Sequence, residues 1–328
     1  MSSPHTSVFR VSLLSLLLTA LVAFLAACAP EPTSRPAAPP VAQSDAADGH
    51  DHAELEEMPH LHGLGFSADG RQLLVPAHTG LRIYEDGAWH TPDAPAHDYM
   101  GFAPVEDGFY SSGHPAPDSR LVNPLGLVRS SDGGATLEPL GFVGESDFHT
   151  LGVGYRSRAI YLLNPAPNSA LQQGAYYSLD NGGTWQPFAG RGVSAAPYTI
   201  AVHPDAPGTL ALPTDAGLLQ SIDYGASFSL AGPPAPTTAA IYSLDGKRLL
   251  FGATTLAALD LTSGVIAPLN APQLAAEDLF TYIATSPTAP ETLAVATLER
   301  DIFLSLDNGA TWTQIADNGT APAAAVRP

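Results

Sequence analysis

Six of the eleven histidines in this 328-residue chain lie near carboxylates in its first half. They are His60 and His62, His78, His97 beside Asp98, His114, and His149 two residues after Asp147. Imidazoles with a carboxylate suit Zn or Cu, which take nitrogen ligands at about 2 Å and, in reactive sites, keep a position open. The acids alone allow a different chemistry. Two carboxylates flanking a glycosidic bond act as general acid and as nucleophile or base, and Asp98, Glu145, Asp147 and Glu299 are candidates for such a pair. A lone histidine is more often held by a neighbouring backbone group than by a ligand, so either chemistry depends on the chain bringing several of these residues together.

A repeat supplies the elements that must do so. The pattern Ser-x-Asp-x-Gly-x-Thr/Ser-aromatic starts at Ser130, Ser178, Ser221 and Ser305, with Leu137 replacing the aromatic in the first copy. The intervals are 48, 43 and 84 residues, and the last is close to two periods, so one copy is degenerate. A fixed period of this size means stacked supersecondary units. In each copy the aspartate (Asp132, Asp180, Asp223 or Asp307) can accept hydrogen bonds from N–H groups of its own turn, while glycine admits positive φ. Trp185 and Trp312 then pack between units. These are structural roles, and they locate repeats without naming a substrate.

Reading back from each box places first strands at 60–66, 98–104, 148–153, 198–203, 237–243 and 281–286. Second strands follow at 72–77, 108–112, 159–163, 209–213, 248–253 and 292–296. Worn turns at Glu85-Asp86-Gly87-Ala88 and Asp260-Leu261-Thr262-Ser263-Gly264 replace the box in the first and fifth repeats. Six repeats between Pro59 and Ala316 predict an all-β, six-bladed β-propeller with Asp-box hairpins. Seven blades, the alternative, would need strands from the segment before Pro59.

The four boxes resemble the BNR, or Asp-box, repeat of the sialidase/sortilin superfamily, where the box joins the two outer strands of a blade. The strings His60-Leu61-His62-Gly63-Leu64-Gly65-Phe66, Ser112-Gly113-His114-Pro115, Asn123-Pro124-Leu125-Gly126-Leu127 and Asp147-Phe148-His149 are similar to small bacterial lipoproteins labelled as glycosyl hydrolases. That resemblance implies a glycoside hydrolase. It does not extend to a typical sialidase, whose three substrate-binding arginines have no counterpart on any predicted first strand.

Aligning the first strands on their small central residue sets Gly65, Gly101, Gly152, Ala201, Ala240 and Ala284 in one column. Three positions upstream stand His62, Asp98, His149, Tyr198, Thr237 and Thr281. The second strands run antiparallel and so return to the same face, ending near His78, His114, Asn164, Asp215, Thr254 and Thr297. Both columns meet at one mouth of the axial channel. His60, His62, His78, His97, Asp98, His114 and His149 are therefore expected to converge there as ligands of Zn, Cu or a small polar molecule, whereas His203 falls at the opposite end of its strand.

Ahead of the repeats, Arg10, an apolar run from Val11 to Ala27 and Leu25-Ala26-Ala27-Cys28 look like a lipoprotein signal peptide over 1–28, lipidated at Cys28. Residues 29–58, rich in Pro, Ala and acids, read as a disordered tether ending in a solvated acidic spacer, with weak ion binding at His50 and His52 as the alternative; 59–317 form the propeller and 318–328 a tail. Cys28 is the one cysteine, which excludes disulfides and thiol chemistry in the folded part. With Lys+Arg 13 against Asp+Glu 32, the surface repels phosphate backbones, so nucleic acid is not an expected partner. The expectation is an exported, lipid-anchored protein of the bacterial cell envelope that binds a metal ion or small polar ligand at the mouth. A glycoside hydrolase acting on a glycan through the carboxylates is the second reading. The third is a protein-interaction scaffold presenting residues 113–126.

Overall fold

Strands that are apolar on both faces must be covered twice, and a ring of sheets does this by setting each sheet between two others. The computed structural model describes residues 57–321. Among them, twenty-four strands and no helix build six four-stranded antiparallel sheets. Cys28, the leader, His50, His52 and most of the tether lie outside the described residues.

Blade 1 contains β1 (Gly65–Phe66), β2 (Leu73–Ala77), β3 (Gly80–Glu85) and β4 (Ala88–His90). Blade 2 contains β5 (Asp98–Val105), β6 (Gly108–His114), β7 (Leu127–Ser130) and β8 (Glu138–Gly141). Blade 3 contains β9 (Leu151–Val153), β10 (Ile160–Asn164), β11 (Gly174–Ser178) and β12 (Gln186–Pro187). Blade 4 contains β13 (Ala201–Val202), β14 (Leu210–Thr214), β15 (Gly217–Ser221) and β16 (Ser229–Leu230). Blade 5 contains β17 (Ala239–Tyr242), β18 (Arg248–Gly252), β19 (Leu256–Asp260) and β20 (Ile266–Leu269). Blade 6 contains β21 (Phe280–Thr285), β22 (Leu293–Thr297), β23 (Ile302–Ser305) and β24 (Thr313–Ala316). Strand order follows chain order in every sheet, so the fold is the six-bladed propeller that the repeat predicts.

The first strands of blades 1 and 4 are shorter than expected, for a reason visible in their partners. His62 N–H and Tyr198 N–H donate to the carbonyls of Pro76 and Pro213. Proline has no N–H to return, so the ladder thins to the single bridges Leu61–Ala77 and Pro197–Thr214.

Packing follows the period-two alternation of side chains. In β2, Leu73, Val75 and Ala77 face blade 6 beside Ala294, Ala296 and Ile302, while Leu74 faces Phe102 and Phe109 of blade 2. Each of the remaining interfaces carries its own apolar cluster. The small-residue column marks where first strands crowd at the axis. A Cβ on Gly65 would sit 2.5 Å from Pro104, and one on Gly152 would sit 2.3 Å from Ile200 O, so any larger side chain would push neighbouring blades apart.

The four boxes are alike to within a few tenths of an ångström. Around Asp180, Ser178 Oγ donates to Oδ1 at 2.8 Å, Thr184 N–H donates to Oδ1 at 2.8 Å, and Thr184 Oγ1 donates to Oδ2 at 2.7 Å. Asn181 and Gly182 take φ of 60° and 85°, the left-handed pair the turn requires. Trp185 packs on Phe142 of blade 2, and Trp312 Nε1–H donates to Asn270 O of blade 5, so both tryptophans bridge blades as expected.

Among the described residues no strand is exchanged between blade 6 and blade 1; the ring closes through side chains and a Met58 N–H to Gly319 O bond of 2.9 Å. Trp89 of β4 is buried and donates Nε1–H to Ile315 O of β24 at 2.7 Å, with Met58 and Phe66 packed in the same cluster. Trp89→Ala removes this bond and a large buried ring, and should cost about 3–5 kcal/mol of unfolding free energy. Denaturant unfolding checks this; a loss below about 1 kcal/mol would mean that closure rests elsewhere.

Candidate metal centre

The antiparallel meander sets the start of each first strand beside the end of its second strand, and blades 1 to 3 put imidazoles and carboxylates at those positions. His60 and His62 precede β1, His78 follows β2, Asp98 opens β5, His114 closes β6, and Asp147 and His149 precede β9. All seven lie on the mouth face. They form two groups.

In the first group, His78 Nδ1–H donates to Asp98 Oδ2 at 2.7 Å, and His62 Nε2 stands 3.3 Å from the same Nδ1. Asp98 Oδ1 is buried without a hydrogen-bond partner, 3.6 Å from His62 Nε2. A tetrahedral Zn with bonds near 2.0–2.1 Å holds its ligand atoms about 3.3 Å apart, the spacing of these nitrogens and close to that of the unpaired oxygen. His62, His78 and Asp98 form a group that could hold a metal ion, each offering one ligand atom within 4.8 Å of the others. The exposed His60 ring lies edge-on to His78, with centroids 4.9 Å apart, at the solvent side of the group.

In the second group, Asp147 Oδ2 lies 2.7 Å from His149 Nε2 and 3.2 Å from His114 Nε2. His114 Nδ1 meets Asn123 Oδ1 at 2.7 Å. Asn123 comes from the long 113–126 excursion and carries no periodic signal that would have singled it out.

Several expectations need correction. His97 is buried and joins neither group; its Nδ1 accepts Ala116 N–H at 2.9 Å and its ring packs edge-on against Tyr99. Asp98 opens β5, and His97, just ahead of the strand, turns to the other side of the chain. Glu145 lies near Asp147 in sequence but accepts Ser169 N–H at 2.6 Å, which holds its pKa below the usual carboxylate value, the wrong direction for a general acid. Glu299 sits in the blade 6 turn after β22, where its N–H donates to Asp278 Oδ1, and it joins neither group. His203 is the turn residue it was expected to be, accepting Asp205 N–H and Ala206 N–H at Nδ1.

Below the mouth runs an axial cavity of about 150 Å³, with His62, His149 and Tyr198 polar in an otherwise largely apolar lining that includes Leu64, Phe66 and Ile283. No arginine lines it, so the carboxylate-binding arginines of a sialidase are missing from this channel.

Comparison with known proteins agrees with the geometry. The BNR/Asp-box repeat model matches residues 176–187, the box at Ser178. By sequence, no curated protein matches the chain. Among solved structures, a GH74 enzyme of Niastella koreensis superposes with a TM-score of 0.53 at 14% identity, covering 79% of this chain and 45% of that one. A GH74 xyloglucanase of Xanthomonas campestris gives 0.49 at 17% identity, covering 80% and 46%. YCF48 bound to D1 peptide gives 0.48 at 14% identity, covering 82% and 85%. The chain thus spans under half the length of these two GH74 proteins. At these identities the likeness is one of fold: the chain is a six-bladed β-propeller carrying BNR/Asp-box repeats, distantly similar in fold to the GH74 enzyme of Niastella koreensis.

Burial drives the His62 pKa from 6.5 down to about 4; Asp98 opposes this, while His78, His149 and His60 add to it. At neutral pH the ring is therefore uncharged with a nitrogen lone pair, the state that binds metal. Between pH 6.5 and about 4 the unfolded chain holds a proton on His62 that the folded, metal-free chain does not. Stability accordingly rises with pH across that window and is lost as pH falls through it. His62→Gln should lose less stability than the parent between pH 7 and pH 4.5, measured by urea midpoints in chelator; equal losses would contradict the depressed pKa.

Proposed function

We propose that this protein is a membrane-tethered, extracytoplasmic propeller that binds a borderline divalent metal ion, Zn or Cu, at the His62–His78–Asp98 centre. The observation that carries this reading is the buried, unpartnered Asp98 Oδ1 facing His62 Nε2 at 3.6 Å, which itself stands at tetrahedral ligand spacing, 3.3 Å, from His78 Nδ1. A formal net charge of −19 draws cations toward the surface, and the open mouth gives them entry. Export and anchoring rest on the leader and on the Leu-Ala-Ala-Cys sequence ending at Cys28.

A glycoside hydrolase is supported less well. Asp98 and Asp147 are both committed to imidazoles, and the GH74 likeness is one of fold. An interaction scaffold using residues 113–126 has in its favour the exposed Leu121 and Val122, while Asn123 of the same loop turns back to His114.

Full-length protein carrying His50→Ala and His52→Ala should retain tightly bound Zn or Cu after dialysis. Adding His62→Ala and Asp98→Asn should weaken that tight equivalent by roughly 100-fold or more, beyond what loss of a supporting residue costs. Absence of tight metal, or its survival in the double variant, would sink the proposal. Cys28→Ala should move the protein out of the membrane fraction, and unchanged fractionation would count against the anchor.

A further inference from the structure

A looser set of the same donor types stands one blade further round the ring. In the first group a histidine past the end of one second strand, His78, meets an aspartate at the start of the next blade, Asp98. Likewise His114, at the end of β6, meets Asp147 just before β9, with Nε2 3.2 Å from Oδ2. His149 Nε2 stands 2.7 Å from that same oxygen, whereas His62 Nε2 faces the other oxygen of Asp98 and lies 3.3 Å from His78 Nδ1. The other oxygen, Asp147 Oδ1, is buried with no hydrogen-bond partner, as Asp98 Oδ1 is.

We propose that His114, Asp147 and His149 form a second metal position, of the same borderline divalent class, so that the mouth holds two ions. Asn123 is the orienting residue. In the tautomer whose Nδ1–H donates to Asn123 Oδ1, His114 turns the bare lone pair of Nε2 toward the Asp147 carboxylate. Two acceptors that face each other at this distance repel unless a proton or a metal cation lies between them, and a metal-bound imidazole commonly donates its other N–H to an oxygen such as Asn123 Oδ1. The His114–Asp147 distance is also close to the ligand spacing of about 3.3 Å in a tetrahedral site. His149, the most exposed of the three, closes the set by turning its ring, which makes this the weaker position.

Entry is open. Asp147 and His149 line a recess of about 500 Å³ with Asn164 and Gln173. The two positions adjoin: Asp98 and His114 are direct partners in the β5–β6 register, so their side chains lie on one face with Cβ atoms about 5 Å apart.

This inference rests on the mouth being a metal site, and the two readings fail differently. The full chain with His50→Ala and His52→Ala is titrated with Zn(II) alone by calorimetry in detergent. Two equivalents are expected, one tighter than the other. His114→Gln with His149→Gln should leave only the tighter, and His62→Gln with His78→Gln only the weaker. One equivalent untouched by the His114/His149 pair overturns the second position and leaves the first. One equivalent abolished by either pair means a single shared ion and also overturns it, and no binding at all overturns both. Circular dichroism checks folding; should a double variant unfold, His149→Ala alone, at an exposed position, should weaken the second equivalent roughly 10- to 100-fold and spare the first.

Discussion

Each blade is a four-stranded antiparallel meander, and the mouth depends on that alternation. A strand that leaves one face must return to it two strand-ends later, so the start of every first strand and the end of every second strand share one rim. His62 and His78 are neighbours for this reason although sixteen positions separate them, their nitrogens standing 3.3 Å apart. The rotation between adjacent blades then presents Asp98 to blade 1 and Asp147 to blade 2. Neither group requires an unusual loop; each follows from placing particular residues at strand ends.

The ring itself is held elsewhere, which leaves the mouth free for polar side chains. Apolar clusters between neighbouring blades and the Asp-box turns at the outer hairpins supply the packing and the turn geometry. Glycines at the axis allow the close approach that brings the strand starts together. With closure resting on Trp89 and its cluster, a carboxylate oxygen can remain buried and unpaired at the mouth, a cost of about 1–3 kcal/mol that a bound cation would offset.

The sequence made the fold legible because the boxes mark a fixed position in each blade and their double interval counts the missing copy. Convergence of His62, His78, Asp98, His114 and His149 was legible from the Gly/Ala column and the direction of two strands. What the column could not resolve was which way a neighbour points. His97 is adjacent to Asp98 and faces the opposite side, an outcome that alternation allows but that a search for clustered histidines overlooks. The division into two groups depends on blade rotation and rotamers, and Asn123 reaches His114 through an aperiodic loop, so neither leaves a trace in spacing. Glu145 shows the converse limit: close in sequence to Asp147, it is drawn off by Ser169 N–H.

The central claim is that the unpaired oxygen and the two imidazoles at the mouth are a metal site rather than a hydrogen-bonded cluster. Anomalous diffraction at the zinc edge, from crystals grown with Zn(II), tests it most directly. The account predicts an anomalous peak about 2 Å from His62 Nε2, His78 Nδ1 and an Asp98 oxygen. A difference map with no anomalous signal there, and the His78–Asp98 hydrogen bond intact, would contradict it.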